Sequence, residues 1–375
     1  MEPFASPTIP GCHEVELDLG IARFEGFVAR LAGTVLCAET PPPHPGEERI
    51  RDLHHRWATR TGLASRAVVE TLAFWQLWTD CVVDRPPEVA TIISDYCLMY
   101  TVLDDAAERF FSPHGPNAAV AEAAMGDFMA ILRNQAVRES GARAFPMYDP
   151  LCASLLDLRS RIFEHASPSM YAAFVDGVDR YRRGVLQQIY LSRRSIPISR
   201  ETQLYNRRLN VAFDPTVVLV CMLENVAFER NLGDHPLLER VHMAVCRLGA
   251  AINDIISFPK EAAEGEELGR YHNLIAAEFA DGEDRDDSGN PLQSAISRTF
   301  DFHNGEMRDL LLLGRFVRED DARLAAHQAI GLSMHRSWMN WCLRAPRYRH
   351  ALSSAHPILS ERSATGTGAV ERALV

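Results

Sequence analysis

Two groups of oxygen-bearing side chains have the spacing to do chemistry. The first is Asp104-Asp105-Ala106-Ala107-Glu108, directly after the apolar stretch Tyr96 to Leu103. On a helix Asp104 and Glu108 share a face and Asp105 lies beside them, so two or three carboxylates converge at one helix end. Hard oxygen ligands at that density suit Mg2+. A DDxxE string also arises often by chance and then marks only a solvated helix end. Here Tyr96, Cys97, Tyr100 and Thr101 precede it at helical spacing, so an aromatic stripe runs up to the carboxylates. The second group is Asn253, Ser257 and Glu261, spaced i, i+4, i+8. This stacks an amide oxygen, a hydroxyl and a carboxylate along one helix face, a compact second ligand set for Mg2+. An Asn and a Ser in an otherwise apolar helix, Val241 to Ile256, need partners or they cost stability. Lys260 stands next to the last ligand, where it could reach an anion held by the same metal. Pro259 removes the helical bond to Ile255 and is expected to kink the helix there.

Asn253-Asp254-Ile255-Ile256-Ser257-Phe258-Pro259-Lys260-Glu261, with Asp104-Asp105-Ala106-Ala107-Glu108 upstream, resembles the paired motifs of the microbial class I terpene synthases (terpene cyclases). That family also carries an arginine 46 residues before the Asn, which falls on Arg207 (253 − 207) in Tyr205-Asn206-Arg207-Arg208-Leu209-Asn210. It carries a C-terminal Arg-Tyr pair after a Trp-containing helix, here Arg347-Tyr348 after Trp338-Met339-Asn340-Trp341-Cys342. The resemblance covers roughly residues 47 to 350. It implies an all-α, single-domain helical bundle around a central apolar cavity, and Mg2+-dependent ionisation of a linear prenyl diphosphate followed by cyclisation. By resemblance, Asp104, Asp105 and Glu108 hold two of three Mg2+ ions and Asn253, Ser257 and Glu261 hold the third. Arg207 matches the diphosphate sensor, with Asn210 and the Val211 carbonyl at the linker and effector positions. Lys260, Arg347 and Tyr348 match donors to the diphosphate. Farnesyl diphosphate and a sesquiterpene product are implied by the habit of single-domain members, and dimers are frequent in the family. Asn210, Val211 and Pro259 depart from residues common there.

The elements that must position these groups read as helices. From Glu47 to about Leu343 apolar residues recur at i, i+3, i+4, i+7, as in Val89-Ile92-Ile93-Tyr96-Leu103 and Val241-Val245-Leu248-Ile252-Ile255. Breakers at Pro86-Pro87, Ser112 to Pro116, Pro146 to Pro150, Ser167-Pro168, Pro197 and Asp214-Pro215 divide the pattern into about ten or more helices. Residues 1–46 are Pro/Gly-rich and read as an extended arm, 47–350 as the helical domain, and 351–375 as a small polar tail of disordered composition. Phe74, Trp75, Trp78, Tyr96, Tyr100, Phe174, Trp338 and Trp341 are the aromatic residues that could face a carbocation, with Tyr100 and Trp341 favoured by registry with the motifs. Each is by default a core residue. Arg182-Arg183 and Arg193-Arg194 read as solvated faces, and His272-Asn273 as a brace for the loop after the second motif.

With Lys+Arg 39 against Asp+Glu 50 the net charge is −11, which excludes a basic nucleic-acid binder. The chain is 47% hydrophobic and 24% charged over 375 residues, enough for a sizeable core. Eight cysteines without a CxxC argue for reduced thiols. The longest apolar run, Val217 to Leu223, is far short of the ~20 residues of a membrane span, so a cytoplasmic protein is expected. Asp281 to Asn290 opens like a calcium loop but places Ala295 where a bidentate Glu is required. A chain-elongating prenyltransferase would carry a second aspartate-rich motif in place of Asn-Ser-Glu. A silent helical relative would show eroded ligands, and a phosphohydrolase would want a His-Asp pair.

Overall fold

A computed structural model of the protein describes residues 12–20, 28–37, 42–112, 114–137, 141–194, 198–226, 235–264, 273–281, 291–317 and 322–346. At 12–20, 28–37, 259–264, 280–281, 293, 315–317 and 343–344 the description is of the backbone alone. Helices begin where the sequence offers caps. Ser167 and Ser199 accept from Met170 and Thr202 amides, and prolines open several first turns, where a missing N–H costs nothing. Twelve α-helices result among the described residues. They are α1 (Glu47–Thr61), α2 (Arg66–Leu72), α3 (Pro87–Glu108), α4 (Ala118–Leu132), α5 (Tyr148–Glu164) and α6 (Pro168–Arg193). These are followed by α7 (Arg200–Asn210), α8 (Phe213–Leu223), α9 (Pro236–Glu264), α10 (Leu274–Asp281), α11 (Pro291–Val317) and α12 (Ala322–Arg344).

Every residue of α8 is buried, as suits its apolar run from Val217 to Leu223, and α6, α9, α3 and α12 pack around it. The fold is all-α in the helical region. One stretch among the described residues, Pro236–Phe258, is long and apolar enough to cross a membrane, but 83% of that window is buried in the bundle, as suits a core helix. The segment read as an extended arm instead contains an antiparallel hairpin, β1 (Cys12–Gly20) with β2 (Val28–Cys37), and β2 lies beside α11. The alternation Val15-Glu16-Leu17-Asp18-Leu19 was the strand signal within that Pro/Gly-rich segment. Pro259 does not end α9, which continues as helix to Glu264.

Candidate functional site

The second motif sits on α9, and α7 lies alongside it. Arg207 points inward, its side chain 11% exposed, whereas neighbouring Arg208 stacks over Tyr205 at 5.5 Å. The Arg207 guanidinium donates to the Asn253 amide oxygen at 2.8 Å and to both oxygens of Asp254, Nε reaching Oδ2 at 3.1 Å. It also donates to the Asn210 side-chain oxygen at 3.0 Å. The 46-residue spacing is thereby realised as a direct contact. Asp254 is fully buried and accepts a further bond from the Leu274 amide at 2.8 Å, while Asn273 donates to the Asp254 carbonyl at 2.9 Å. This ties the start of α10 to the motif, so Asn273 does brace it. One turn beyond Asn253, the buried Ser257 hydroxyl oxygen has no hydrogen-bond partner among the described residues.

At the other end of α7 the helical path breaks. Ala212 takes a left-handed conformation with φ 54°, costly for a residue with a Cβ, before α8 starts at Phe213. Pro215 has no amide with which to bond the Val211 carbonyl four residues back. Thr216 bonds the Ala212 carbonyl with its amide and, at 2.7 Å, its hydroxyl. The break is held by α6, whose Gly177 and Gly184 lie on one face. A Cβ on Gly184 would lie 2.7 Å from the Leu209 Cβ and 3.1 Å from the Asn210 nitrogen, and one on Gly177 would lie 3.1 Å from Pro215 Cα. Behind the break, Arg180 and His242 both bond the buried Asp214. Burial opposes ionisation there, but these two partners hold the carboxyl well below the usual range.

The first motif ends α3, with Asp104 and Asp105 half-buried and Glu108 exposed. Tyr181 of α6 donates its hydroxyl to Asp104 at 3.3 Å, and its ring meets Tyr100 edge-on at 4.7 Å. Tyr100 in turn donates to the Asn210 carbonyl at 2.9 Å, at the helix break. Burial, together with the Asp104 carboxylate, raises both phenols well above their ordinary value, so both remain donors. The Asn210 side-chain amide also donates to Gln188 of α6.

The aromatic candidates divide into two clusters. Tyr96, Tyr100 and Phe174 pack together, with Tyr96 to Phe174 at 5.7 Å. Phe74, Trp78, Trp338 and Trp341 gather around Phe213, the first residue of α8. Trp341 is buried, stacked on Phe74 at 5.1 Å and bonded to the Leu72 carbonyl at 2.8 Å. Trp338, one turn earlier, keeps partial exposure, and its buried indole N–H has no partner among the described residues. Trp75 stands apart, under the Arg51 guanidinium.

Arg347 and Tyr348 lie outside the described residues, as do the side chains of Pro259, Lys260 and Glu261 and the His272 and 282–290 segments. Arg193 is no solvated residue: one guanidinium nitrogen reaches the Pro116 carbonyl at 2.7 Å and the Ser112 carbonyl at 3.1 Å, clamping the loop after the acidic motif. Arg182 and Arg183 pair with Asp179. Tyr181, Gln188, Phe213 and Arg193 touch the candidate site from positions that the motifs do not mark, and Asp254, inside the second motif, makes contacts that its spacing alone does not assign. The one usable sign was Gly177, Tyr181, Gly184 and Gln188 at i, i+4, i+7, i+11, a small-and-polar stripe on a long helix.

Among the described residues no group of three or more His, Cys, Asp or Glu side chains is arranged to hold a metal. The second motif offers other chemistry, an amide oxygen and an orphaned hydroxyl one turn apart, and that donor set fits a hard divalent cation.

The comparisons with known proteins agree with this geometry. The family model described as terpene synthase family 2, C-terminal metal binding, matches residues 95–309, which contain both motifs and Arg207. The chain is similar to the germacrene A synthase of Nostoc punctiforme, 25% identical over 201 residues, a match spanning 52% of this chain and 59% of that protein. Its fold is similar to that of a-eudesmol synthase, with TM-score 0.63 and 16% identity over 84% of this chain and 98% of the other. The linalool/nerolidol synthase of Streptomyces clavuligerus, solved with 2-fluorogeranyl diphosphate, is similar with TM-score 0.61 and 15% identity over 82% and 98%. With the family model spanning more than half of the chain, and Arg207 in contact with the second motif, the protein belongs to the terpene synthase family.

Proposed function

We propose that the protein is a class I terpene cyclase that ionises farnesyl diphosphate in a Mg2+-dependent reaction and cyclises the resulting cation to a sesquiterpene, releasing diphosphate. The observation that carries this reading is Arg207, bonded at once to Asn210 at the helix break and to Asn253 of the second motif. The names of a similar protein, a germacrene A synthase, and of a similar structure holding a prenyl diphosphate analogue support the substrate class. The catalytic unit is residues 47–350, preceded by the arm of residues 1–46 and followed by the tail of residues 351–375.

Asp104, Asp105 and Glu108 would hold two Mg2+ ions and Asn253, Ser257 and Glu261 a third. Bound there, the ions neutralise charge on the leaving diphosphate. Arg207, Lys260, Arg347 and Tyr348 donate to the diphosphate oxygens and stabilise negative charge as the C–O bond breaks. The Val211 carbonyl, denied the amide at Pro215, presents its dipole to the developing cation. The faces of Tyr100, Trp338, Trp341 and Phe213 stabilise positive charge, and their apolar surroundings exclude water. The reaction ends when the cation loses a proton or captures one water molecule.

Incubation with Mg2+ and, separately, geranyl, farnesyl and geranylgeranyl diphosphate, followed by gas chromatography with mass spectrometry of the extract, tests this. A cyclic C15 product that disappears with a chelator is expected. Chain growth on adding isopentenyl diphosphate, with no cyclic product, would replace the assignment with elongation.

A further inference from the structure

The two motifs lie on helices that do not pack directly on each other to any extent, α3 and α9, yet a chain of polar contacts runs from one to the other. Asp104 accepts from Tyr181 at 3.3 Å, the Tyr181 ring lies 4.7 Å from Tyr100, and Tyr100 donates to the Asn210 carbonyl at 2.9 Å. Asn210 is bonded through its side chain to Arg207, and Arg207 to Asn253. Tyr181 is 2% exposed and sits between Gly177 and Gly184, the two glycines that let α6 lie against the break. The Tyr181 phenol donates to the first carboxylate of a ligand set and its ring abuts Tyr100, which grips the break, so Tyr181 moves when either end moves.

We propose that Tyr181 is a positioning residue that couples ligand binding at Asp104 to the conformation of the Asn210–Val211 break and so to Arg207. The inference rests on the reading of Asp104 and Arg207 as metal and diphosphate groups. In the coupled protein, occupancy at the acidic motif draws Asp104 toward the ligand, Tyr181 follows the carboxylate, and Tyr100 is free to adjust its hold on the Asn210 carbonyl. A merely structural tyrosine would affect stability alone.

The test measures binding of inorganic diphosphate by calorimetry across a Mg2+ titration, together with kcat and KM. In the natural protein Mg2+ should tighten diphosphate binding. Tyr181→Phe keeps the ring and loses the hydroxyl; it should reduce that tightening by about tenfold, the scale of one hydrogen bond to a charged group. It should lower kcat more than it alters KM and leave Tm nearly unchanged. Tyr100→Phe should act likewise, and the double variant should be no worse than either single one, because both cut the same chain. Undiminished Mg2+ tightening in Tyr181→Phe, or effects of the two variants that simply multiply, would overturn the inference while leaving the functional reading intact. Failure of the natural protein to bind diphosphate with Mg2+ would instead overturn the reading on which it rests.

Discussion

Arg207 serves two roles that can be separated. Its guanidinium satisfies Asp254, a fully buried carboxylate, and it is the proposed diphosphate donor. Replacing it with leucine takes the guanidinium away from the Asp254 charge in the core, while the Leu274 amide still donates to it. Breaking a buried ion pair on one side costs about 3–5 kcal/mol. At about 2.1 cal/mol/K of unfolding entropy per residue over the 375 residues, about 4 kcal/mol lowers Tm by roughly 5 °C. Adding Asp254→Asn removes the charge but retains an oxygen for the Leu274 amide. The double variant should therefore regain more than half of the lost Tm, because an uncharged pair no longer carries the desolvation penalty. Turnover of farnesyl diphosphate should not return, since the donor is still absent. Thermal melts and product assays on the two variants decide the matter. A double variant no more stable than Arg207→Leu would refute the burial argument, and recovered turnover would refute the donor role.

Other variants and conditions give equally definite expectations. Gly184→Ala must push Leu209 and Asn210 away from α6 and should cost about 1–3 kcal/mol with loss of turnover. Gly126→Ala in α4, where a Cβ meets nothing within 4 Å, should raise stability by about 0.5–1 kcal/mol, and equal Tm shifts for the two would contradict the packing. Burial holds His303 down at about 4 and His327 at about 3, and pushes His335 far down. Unfolded histidines titrate near 6.5, so the unfolded chain takes up protons first and stability should fall as pH drops from about 6.5 towards 4. His242 behaves oppositely: burial works against its charge, but Cys246 and Asp214 hold it up at about 10, so its contribution is full below about 6.5 and fades towards 10. Melting curves should thus peak near neutral pH, and a Tm that is flat from pH 7 to 4 would contradict the buried neutral histidines. Lys260 is the sequence's only lysine, so acylation followed by peptide mapping should show it protected by Mg2+ with diphosphate, whereas unchanged labelling would remove it from the donor set.

Helical periodicity made the bundle legible because most of its helices bury one stripe, whereas the full burial of α8 emerges only from its packing. The Asn253–Ser257 face and the Arg207 spacing were legible because both lie on continuous helices, where sequence distance maps onto geometry. Tyr181 and Arg193 were not, because their partners are 77 and 77 to 83 residues away, on α3 and in the loop that follows it. No local pattern encodes which face of α6 meets α3. The left-handed turn at Ala212 was hidden for a different reason: alanine has no preference for that conformation, and the close approach of Gly177 to Pro215 and of Gly184 to Leu209 beside it is tertiary. The favouring of Trp341 by registry showed the same limit. Position along α12 puts Trp338 and Trp341 one turn apart, but only tertiary packing distinguishes the anchored Trp341 from the partly exposed Trp338.

The central claim is that the second motif binds a metal required for ionisation, and Ser257 tests it most directly. Its buried hydroxyl has no protein partner among the described residues, so Ser257→Ala should leave Tm unchanged or slightly raised. Measured beside it, diphosphate release from farnesyl diphosphate in Mg2+ should fall at least a hundredfold, and partial recovery at high Mg2+ should follow. Full activity in Ser257→Ala at unchanged Mg2+ dependence would contradict the account.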